Sequence, residues 1–237
     1  MTVRIRRVTT TRAGGVSASP FDTFNLGDHV GDDPQAVAAN RRRLGEAIGL
    51  GAGGIVWMNQ VHSSRVVIVD DWKTGADPIA ETDALVTTRQ RLALAVVTAD
   101  CVPVLLADAR AGVVGVAHAG RVGAQNGVVV HTVEAMLSVG AHAEDISVLL
   151  GPAVSGRNYE VPETMAAEVE AALPGSRTTT AKGTPGLDLR AGISRQLTGL
   201  GITAIDVDPR CTVADPNLFS HRRGAPTGRL ASLVWME

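Results

Sequence analysis

Aromatic side chains are scarce in this 237-residue chain, at 3% (three Phe, three Trp and one Tyr). Surfaces that stack bases or sugar rings draw on more than that, so single-stranded nucleic-acid platforms and carbohydrate grooves are disfavoured. Charge is sparse as well: 19% of residues are charged, with 22 Lys+Arg against 24 Asp+Glu and a net charge of −2. No broad basic field is left to grip nucleic acid or an anionic membrane. Two cysteines, Cys101 and Cys211, cannot staple a chain of this size. No apolar run reaches the ~18 residues of a membrane-spanning helix. The start, Met1-Thr-Val-Arg-Ile-Arg-Arg, has no apolar stretch of signal-peptide type. Together these absences point to a cytoplasmic protein with reduced thiols and no membrane or nucleic-acid partner. G-x-x-x-x-G-K-[ST] is missing, and no G-x-G-x-x-G stands between a strand and a helix, so ATP and dinucleotide chemistry lack support.

What the chain does have is aliphatic bulk: 45% hydrophobic residues and a mean hydropathy of +0.13. Short runs rich in Val and Leu, bounded by turn or charged residues, read as buried strands at 66–69, 84–87, 92–97, 103–107, 113–117 and 146–150. Asp33-Pro34 has the form of an N-cap followed by Pro at the first helical position, which predicts a helix to about Ile48, ended near Gly49. Further helices are expected over 126–139, 162–173 and, capped by Asp188, over 189–200. The Thr/Gly-rich stretch 176–186 reads as a surface loop. Strands outnumber helices and do not alternate with them. The expectation is an α+β fold, one domain over 1–237, with mixed β-sheets flanked by helices. Nothing in the pattern specifies an oligomeric state.

Three residues with metal-binding side chains stand at the ends of strand-like runs. His62 precedes the run at 66–69, Cys101 lies between two apolar runs in Thr98-Ala99-Asp100-Cys101-Val102-Pro103, and His118 closes the run at 113–117 before Ala119-Gly120. Two imidazoles and a thiolate suit zinc and leave a fourth position for water or substrate. An ion held in that way brings the pKa of its water near ~7 and supplies hydroxide at neutral pH. The spacings of 39 and 17 positions are not diagnostic. A lone Cys in an apolar stretch is more often a small buried hydrophobe, and a lone His at a strand end is more often a satisfied core residue. From the residues alone the ligand set and the packing reading both stand. Cys211, Trp57, Trp72 and Trp235 read as packing residues, His131 and His142 as exposed, and His29 as a loop residue that either lines a pocket or serves a turn.

The blocks Asn25-Leu26-Gly27-Asp28-His29, Asn59-Gln60-Val61-His62-Ser63, Thr82-Asp83-Ala84-Leu85-Val86-Thr87, Thr98-Ala99-Asp100-Cys101-Val102-Pro103, Ala117-His118-Ala119-Gly120, Leu150-Gly151-Pro152, Phe219-Ser220-His221-Arg222-Arg223 and Thr227-Gly228-Arg229 occur in that order along nearly the whole chain. This series resembles the YfiH-type laccase-domain family, once called multicopper polyphenol oxidases and now described as purine nucleoside phosphorylases with adenosine deaminase activity. Some members are described as peptidoglycan editing factors. The resemblance implies an active-site metal on His62, Cys101 and His118. It also implies purine nucleosides (adenosine, inosine, guanosine, methylthioadenosine) and phosphate as substrates. One block departs: the family's usual His-Ala-Gly-Trp-Arg-Gly reads His118-Ala119-Gly120-Arg121-Val122-Gly123 here, with Arg121 at the Trp position and Val122 at the Arg position. His221 stands where many relatives have Tyr.

On this reading Cys101, His62 and His118 carry catalysis. Zinc deaminases use a Glu as proton shuttle; none stands beside His62, so Asp100 and Asp83 are the candidates, with a turn cap or a partner steadying a ligand as the alternative for Asp100. Asn25 and Gln60 are candidates for holding sugar or base. Arg41 and Arg222, with Arg223 and Arg229, are candidates for holding phosphate, all of them equally readable as loop or surface residues. Two other enzyme readings use the same residues. One makes Cys101 a nucleophile, with His118 or His62 as base, in an amidase acting on peptidoglycan precursors. The other places copper on the His₂Cys set, although six histidines are too few for a multicopper oxidase. A structural zinc module fits poorly, since such sites close with four ligands and usually paired cysteines.

Overall fold

Successive side chains of the central strands have different neighbours, and this alternation builds the layers. The computed structural model describes residues 2–69 and 77–237. Its elements, in order, are β1 (Ile5–Thr9), α1 (Pro34–Ala47), β2 (Ile55–Val56), β3 (Val66–Ile68), β4 (Ala84–Thr87), β5 (Ala93–Thr98), β6 (Val102–Asp108), β7 (Val113–Ala119), α2 (Arg121–Gln125), α3 (Val128–Ser138), β8 (Ile146–Leu150), α4 (Glu163–Ala172), β9 (Arg177–Thr179), β10 (Pro185–Leu187), α5 (Leu189–Gly199), β11 (Ala204–Val207) and β12 (Leu230–Met236). One sheet has four strands in the order β1-β12-β5-β2. The other has six, β11-β8-β6-β7-β4-β3, and a hairpin pairs β9 with β10. Both large sheets are mixed: β2/β5, β3/β4 and β8/β11 run parallel, the rest antiparallel. The α+β expectation therefore holds.

Leu94 and Val96 of β5, Leu105 of β6, Val114 and Val116 of β7 and Val234 of β12 form the apolar layer between the two sheets. Their neighbours in sequence point the other way. Ala93, Ala95, Leu233 and Trp235 meet Leu44 of α1 and Trp57 on the outer face of the four-stranded sheet. Val104, Leu106 and Ala117 meet Val133 and Met136 of α3, Val169 of α4 and Ile193 of α5 on the outer face of the other. Each sheet is thus covered on both sides, which is why β5, β6, β7 and β12 are buried at every position and read as unbroken apolar runs.

All six expected strands are present, two with the expected ends and four with ends shifted by one or two residues. The Asp33 carboxylate accepts from Gln35 N at 2.9 Å with Pro34 opening α1, and Asp188 accepts from Ala191 N at 3.1 Å at the head of α5. The expected helix over 126–139 is α3, which starts at Val128, and the short α2 that precedes it, capped by Asn126, was not foreseen. The 176–186 loop is corrected to the β9–β10 hairpin. Its threonines suit extended backbone, and Thr180 closes the turn, its N donating to Thr184 O at 2.9 Å and its hydroxyl lying 2.6 Å from that of Thr184. Cys211 is corrected from core to half-buried; its sulfur accepts from Ser155 N and Asn158 Nδ2, both at 3.3 Å. Trp57 and Trp235 pack as expected, His131 and His142 are exposed, and Trp72 lies outside the described residues. Among those residues no helix is long and apolar enough to cross a membrane.

Candidate functional site

The chain passes from the four-stranded to the six-stranded sheet in three residues, 99–101, between β5 and β6. This step sets Cys101 immediately before Val102. In the β6/β7 register Val102 faces Ala119 and Pro103 faces His118, so Cys101 and His118 lie beside one another at the end of a rigid pair of strands. His62 arrives from the segment ahead of β3 with φ +62°, a left-handed conformation that a non-glycine residue adopts only when held.

Asp83, on the turn before β4, does the holding. It is fully buried. Its Oδ1 accepts from His62 N at 3.0 Å, and its Oδ2 accepts from Val61 N at 3.1 Å, Ser63 N at 2.7 Å and the Ser63 hydroxyl at 2.8 Å. The same Oδ1 lies 2.8 Å from His118 Nδ1, and the Asp83 carbonyl accepts from His118 N at 2.7 Å. One carboxylate therefore shapes the loop of the first histidine and orients the ring of the second. With Nδ1 spent on Asp83, Nε2 of His118 is the nitrogen free to bind a metal.

The outcome is a compact donor set: the ligand atoms of His62, Cys101 and His118 all lie within 4.8 Å of one another. Cys101 Sγ is 3.9 Å from His62 Nε2, and the two imidazoles meet edge to face at 4.7 Å. Gly120 makes this approach possible, since a Cβ there would stand 2.8 Å from His62 Cδ2 and 3.0 Å from Cys101 Sγ. In the metal-free protein, burial alone would raise the Cys101 thiol, but the His118 and His62 imidazoles outweigh it and bring the thiol down to about 6. Burial alone would lower His118, but the Cys101 thiolate and the Asp83 carboxylate lift it to about 9. Burial opposes the charge on Asp83 too, yet its hydrogen bonds to His118 and Ser63 bring it to about 2. The resting pair is thiolate and imidazolium.

These residues open onto a cavity of about 460 Å³. Asp100, Gln60, Arg222 and Arg229 line it, as do His29 and His221. Both Asp100 oxygens are occupied, Oδ1 by the Thr212 hydroxyl at 2.6 Å and Oδ2 by Arg222 N at 2.8 Å, so its carboxylate fastens two loops to the Cys101 turn. The Gln60 amide is spent on Val97, donating to its O and accepting from its N, both at 2.8 Å. Asn25 and Arg41 are not on the cavity wall. Asn25 is buried and holds Gly27, Asp32 and the backbone N of Arg229. Arg41 stacks on Trp57 at 4.2 Å, donates to Leu26 O and pairs with Asp28, which lies beside His29. Arg121 lines the cavity, whereas its neighbour Val122 faces solvent, 39% exposed. Arg223 donates to the carbonyls of Thr212, Asp215 and Leu218 and closes its own loop. Sequence reasoning missed Tyr159 and Val154, which complete the wall from a segment without a motif. It also named Asp83 only as a proton carrier, not as the hub; five donors converging on one carboxylate leave no mark in the sequence.

With this geometry in place, the comparisons are consistent. The chain belongs to the family described as "multi-copper polyphenol oxidoreductase laccase", whose model matches residues 6–237. A Mycobacterium tuberculosis protein named purine nucleoside phosphorylase is 74% identical over 237 residues, covering 100% of this chain and 94% of that protein. Among solved structures, YlmD from Geobacillus stearothermophilus matches with a TM-score of 0.92 and 33% identity over 98% of this chain and 92% of that one. The Bacillus licheniformis protein YfiH matches with 0.90 and 30% over 98% and 93%.

Proposed function

We propose that this protein is a zinc-dependent purine nucleoside phosphorylase working at the cavity formed by His62, Cys101 and His118. The observation that supports it most is the convergence of that donor set on one cavity in a chain 74% identical to a protein of that name. Two imidazoles and a thiolate match zinc's preference for N and S donors, and three protein ligands are what a catalytic rather than a structural site provides. When bound, the ion supplies Lewis acidity beside the substrate.

In phosphorolysis a phosphate oxygen bonds to the ribose C1′ as the bond from C1′ to the purine nitrogen breaks. The electron pair leaves with the base, which gains a proton and departs as free purine, while ribose 1-phosphate remains. The chain's own contributions are positional. Asp83 fixes His62 and His118, Asp100 ties the loop carrying His221 and Arg222 to Cys101, and Gln60 holds the Val97 edge of the wall.

Adenosine deamination is a second reading supported by the donor set, which is of the zinc-deaminase type. The acids nearest the site are both engaged, Asp83 by five contacts and Asp100 by two, and so phosphorolysis ranks first. The thiolate–imidazolium pair with Asp83 behind it supports a third reading, a Cys101–His118 amidase. Copper competes for such ligands, but six histidines do not furnish a multicopper cluster. The test is metal analysis of the purified protein with adenosine assayed with and without phosphate. Adenine and ribose 1-phosphate, formed only with phosphate and lost to a chelator, are expected. Inosine and ammonia without phosphate would mean deamination. Activity that survives the chelator would reassign Cys101 as nucleophile. No product with stoichiometric zinc would refute the nucleoside reading.

A further inference from the structure

Three guanidiniums, those of Arg121, Arg222 and Arg229, line the cavity, and no carboxylate lies within ion-pair distance of any of them among the described residues. Elsewhere on the molecule arginines do find acids: Arg12 pairs with Asp22, Arg41 with Asp28 and Arg210 with Asp208. Among the described residues the one carboxylate on the cavity wall, Asp100, spends its oxygens on the Thr212 hydroxyl and the Arg222 backbone. Positive charge is thus concentrated there outside any ion pair, with Cys101 and Asp100 as the nearby negative groups acting on Arg229.

The three side chains are also held in place. Arg222 lies over the Tyr159 ring at 4.7 Å, donates to Glu160 O at 3.0 Å, and has its backbone fixed by Asp100. Arg229 donates to the carbonyls of Thr227 and Gly228, and its backbone N is held by Asn25 at 2.8 Å. Arg121 is braced by Gln125 at 3.0 Å. Each side-chain bond takes Nη1 and has a neutral partner, so no ion pair is made and part of each planar fork remains for an oxyanion.

We infer that Arg121, Arg222 and Arg229 form a subsite for a phosphoryl dianion, with Tyr159 as the positioning residue that holds Arg222. The inference rests on the phosphorylase reading for its place in a reaction, and its chemistry stands on the unpaired arginines. Inorganic phosphate and the 5′-phosphate of a nucleotide share that chemistry.

The test titrates the full-length, zinc-loaded protein with inorganic phosphate by calorimetry, without nucleoside. The expected result is saturable binding, weakened at least tenfold in each of Arg121→Gln, Arg222→Gln and Arg229→Gln and unchanged in Arg43→Gln, whose side chain is exposed on α1. Tyr159→Phe should bind as wild type and Tyr159→Leu should bind more weakly, because the ring face and not the hydroxyl carries the stacking. Where Arg229→Gln fails to fold, competition by sulfate on the wild type takes its place; sulfate should displace phosphate. Adenosine 5′-monophosphate that displaces phosphate supports the subsite and shows that it accepts esters; failure to displace restricts it to the inorganic ion and still supports it. Phosphate binding that is absent, or that all three substitutions leave intact, overturns the inference. A protein that binds phosphate through these arginines but cleaves no nucleoside would refute the phosphorylase reading alone. One that cleaves nucleosides with an unchanged phosphate KM in the variants would refute the subsite alone.

Discussion

Replacing Asp83 by Asn keeps the shape of the side chain and removes its charge, which tests how much of the centre that carboxylate builds. An amide offers one oxygen where the carboxylate offered two, so one side must turn an NH₂ toward donors. If the oxygen stays with Val61 N, Ser63 N and the Ser63 hydroxyl, the NH₂ faces His62 N and His118 Nδ1. Two bonds to a charged acceptor are then lost, each worth about 1.5–3 kcal/mol, in line with the ~3–5 kcal/mol for stripping one partner from a buried charged pair. His118 can recover a bond only by accepting at Nδ1, which moves its proton to Nε2 and takes that nitrogen from the metal. Zinc affinity should therefore fall by ~10–100-fold, the usual effect of losing a partner that orients a ligand. The assay is competition against a chromophoric chelator, with a denaturant melt on the same samples. Ser63→Ala is the control; it deletes one contact, costs about 1 kcal/mol and leaves the His118 tautomer alone. An Asp83→Asn protein that bound zinc within about twofold of wild type would refute the reasoning.

Other outcomes follow from the same geometry. Gly120 has φ −72°, which any residue adopts, so Gly120→Ala acts through space alone; pushing His62 and Cys101 apart should lower zinc affinity at least ~10-fold with little change in melting, as read by the same competition. Metal uptake should depend on pH. Between about 6 and about 9 an incoming ion meets a thiolate but must displace the His118 proton, so log affinity should rise ~1 unit per pH unit and flatten above 9; titration in two buffers of different ionisation enthalpy should show about one proton released. Asp83 has its pKa depressed, so its contribution to stability is complete above its ordinary 3.8 and is lost as pH falls through about 2. Acid melts should show that loss for wild type and not for Asp83→Asn. Leu105→Ala, in the layer between the sheets, should cost ~2–5 kcal/mol in a denaturant melt.

The strands β4 to β7 were legible because strands buried throughout leave unbroken runs of Val, Leu and Ala, β3 and β8 because short Val/Leu/Ile runs still mark half-buried strands, and α1 and α5 because Asp33 and Asp188 announce their caps. β1, β2, α2, β9, β10, β11 and β12 were not. β1 contains Arg6 and Arg7, and its pairing with β12 joins Ile5 to Met236, across almost the entire chain; no local pattern encodes a partner so far away. α2 has a glycine at its N-cap with no side-chain bond and runs for only five residues, yet it turns Arg121 inward and Val122 outward. The hairpin at 177–187 was hidden by its threonines and glycines. At the site, the resemblance pointed to His62, Cys101 and His118, and the structure brings them together. Asn25 and Arg41 lie off the cavity wall and Gln60 lies on it, and the amide and guanidinium groups of all three already have partners within the protein.

The three-residue step between β5 and β6 has a mechanical consequence. Val97 belongs to one sheet and Val102 to the other, so the pocket is a joint between two slabs, and whatever fills it works as a clasp. Loading the centre should stiffen the whole sandwich. Amide exchange should slow at Val97 and Val102 together, and it should slow as well along β8 and β12, which carry none of the three ligands.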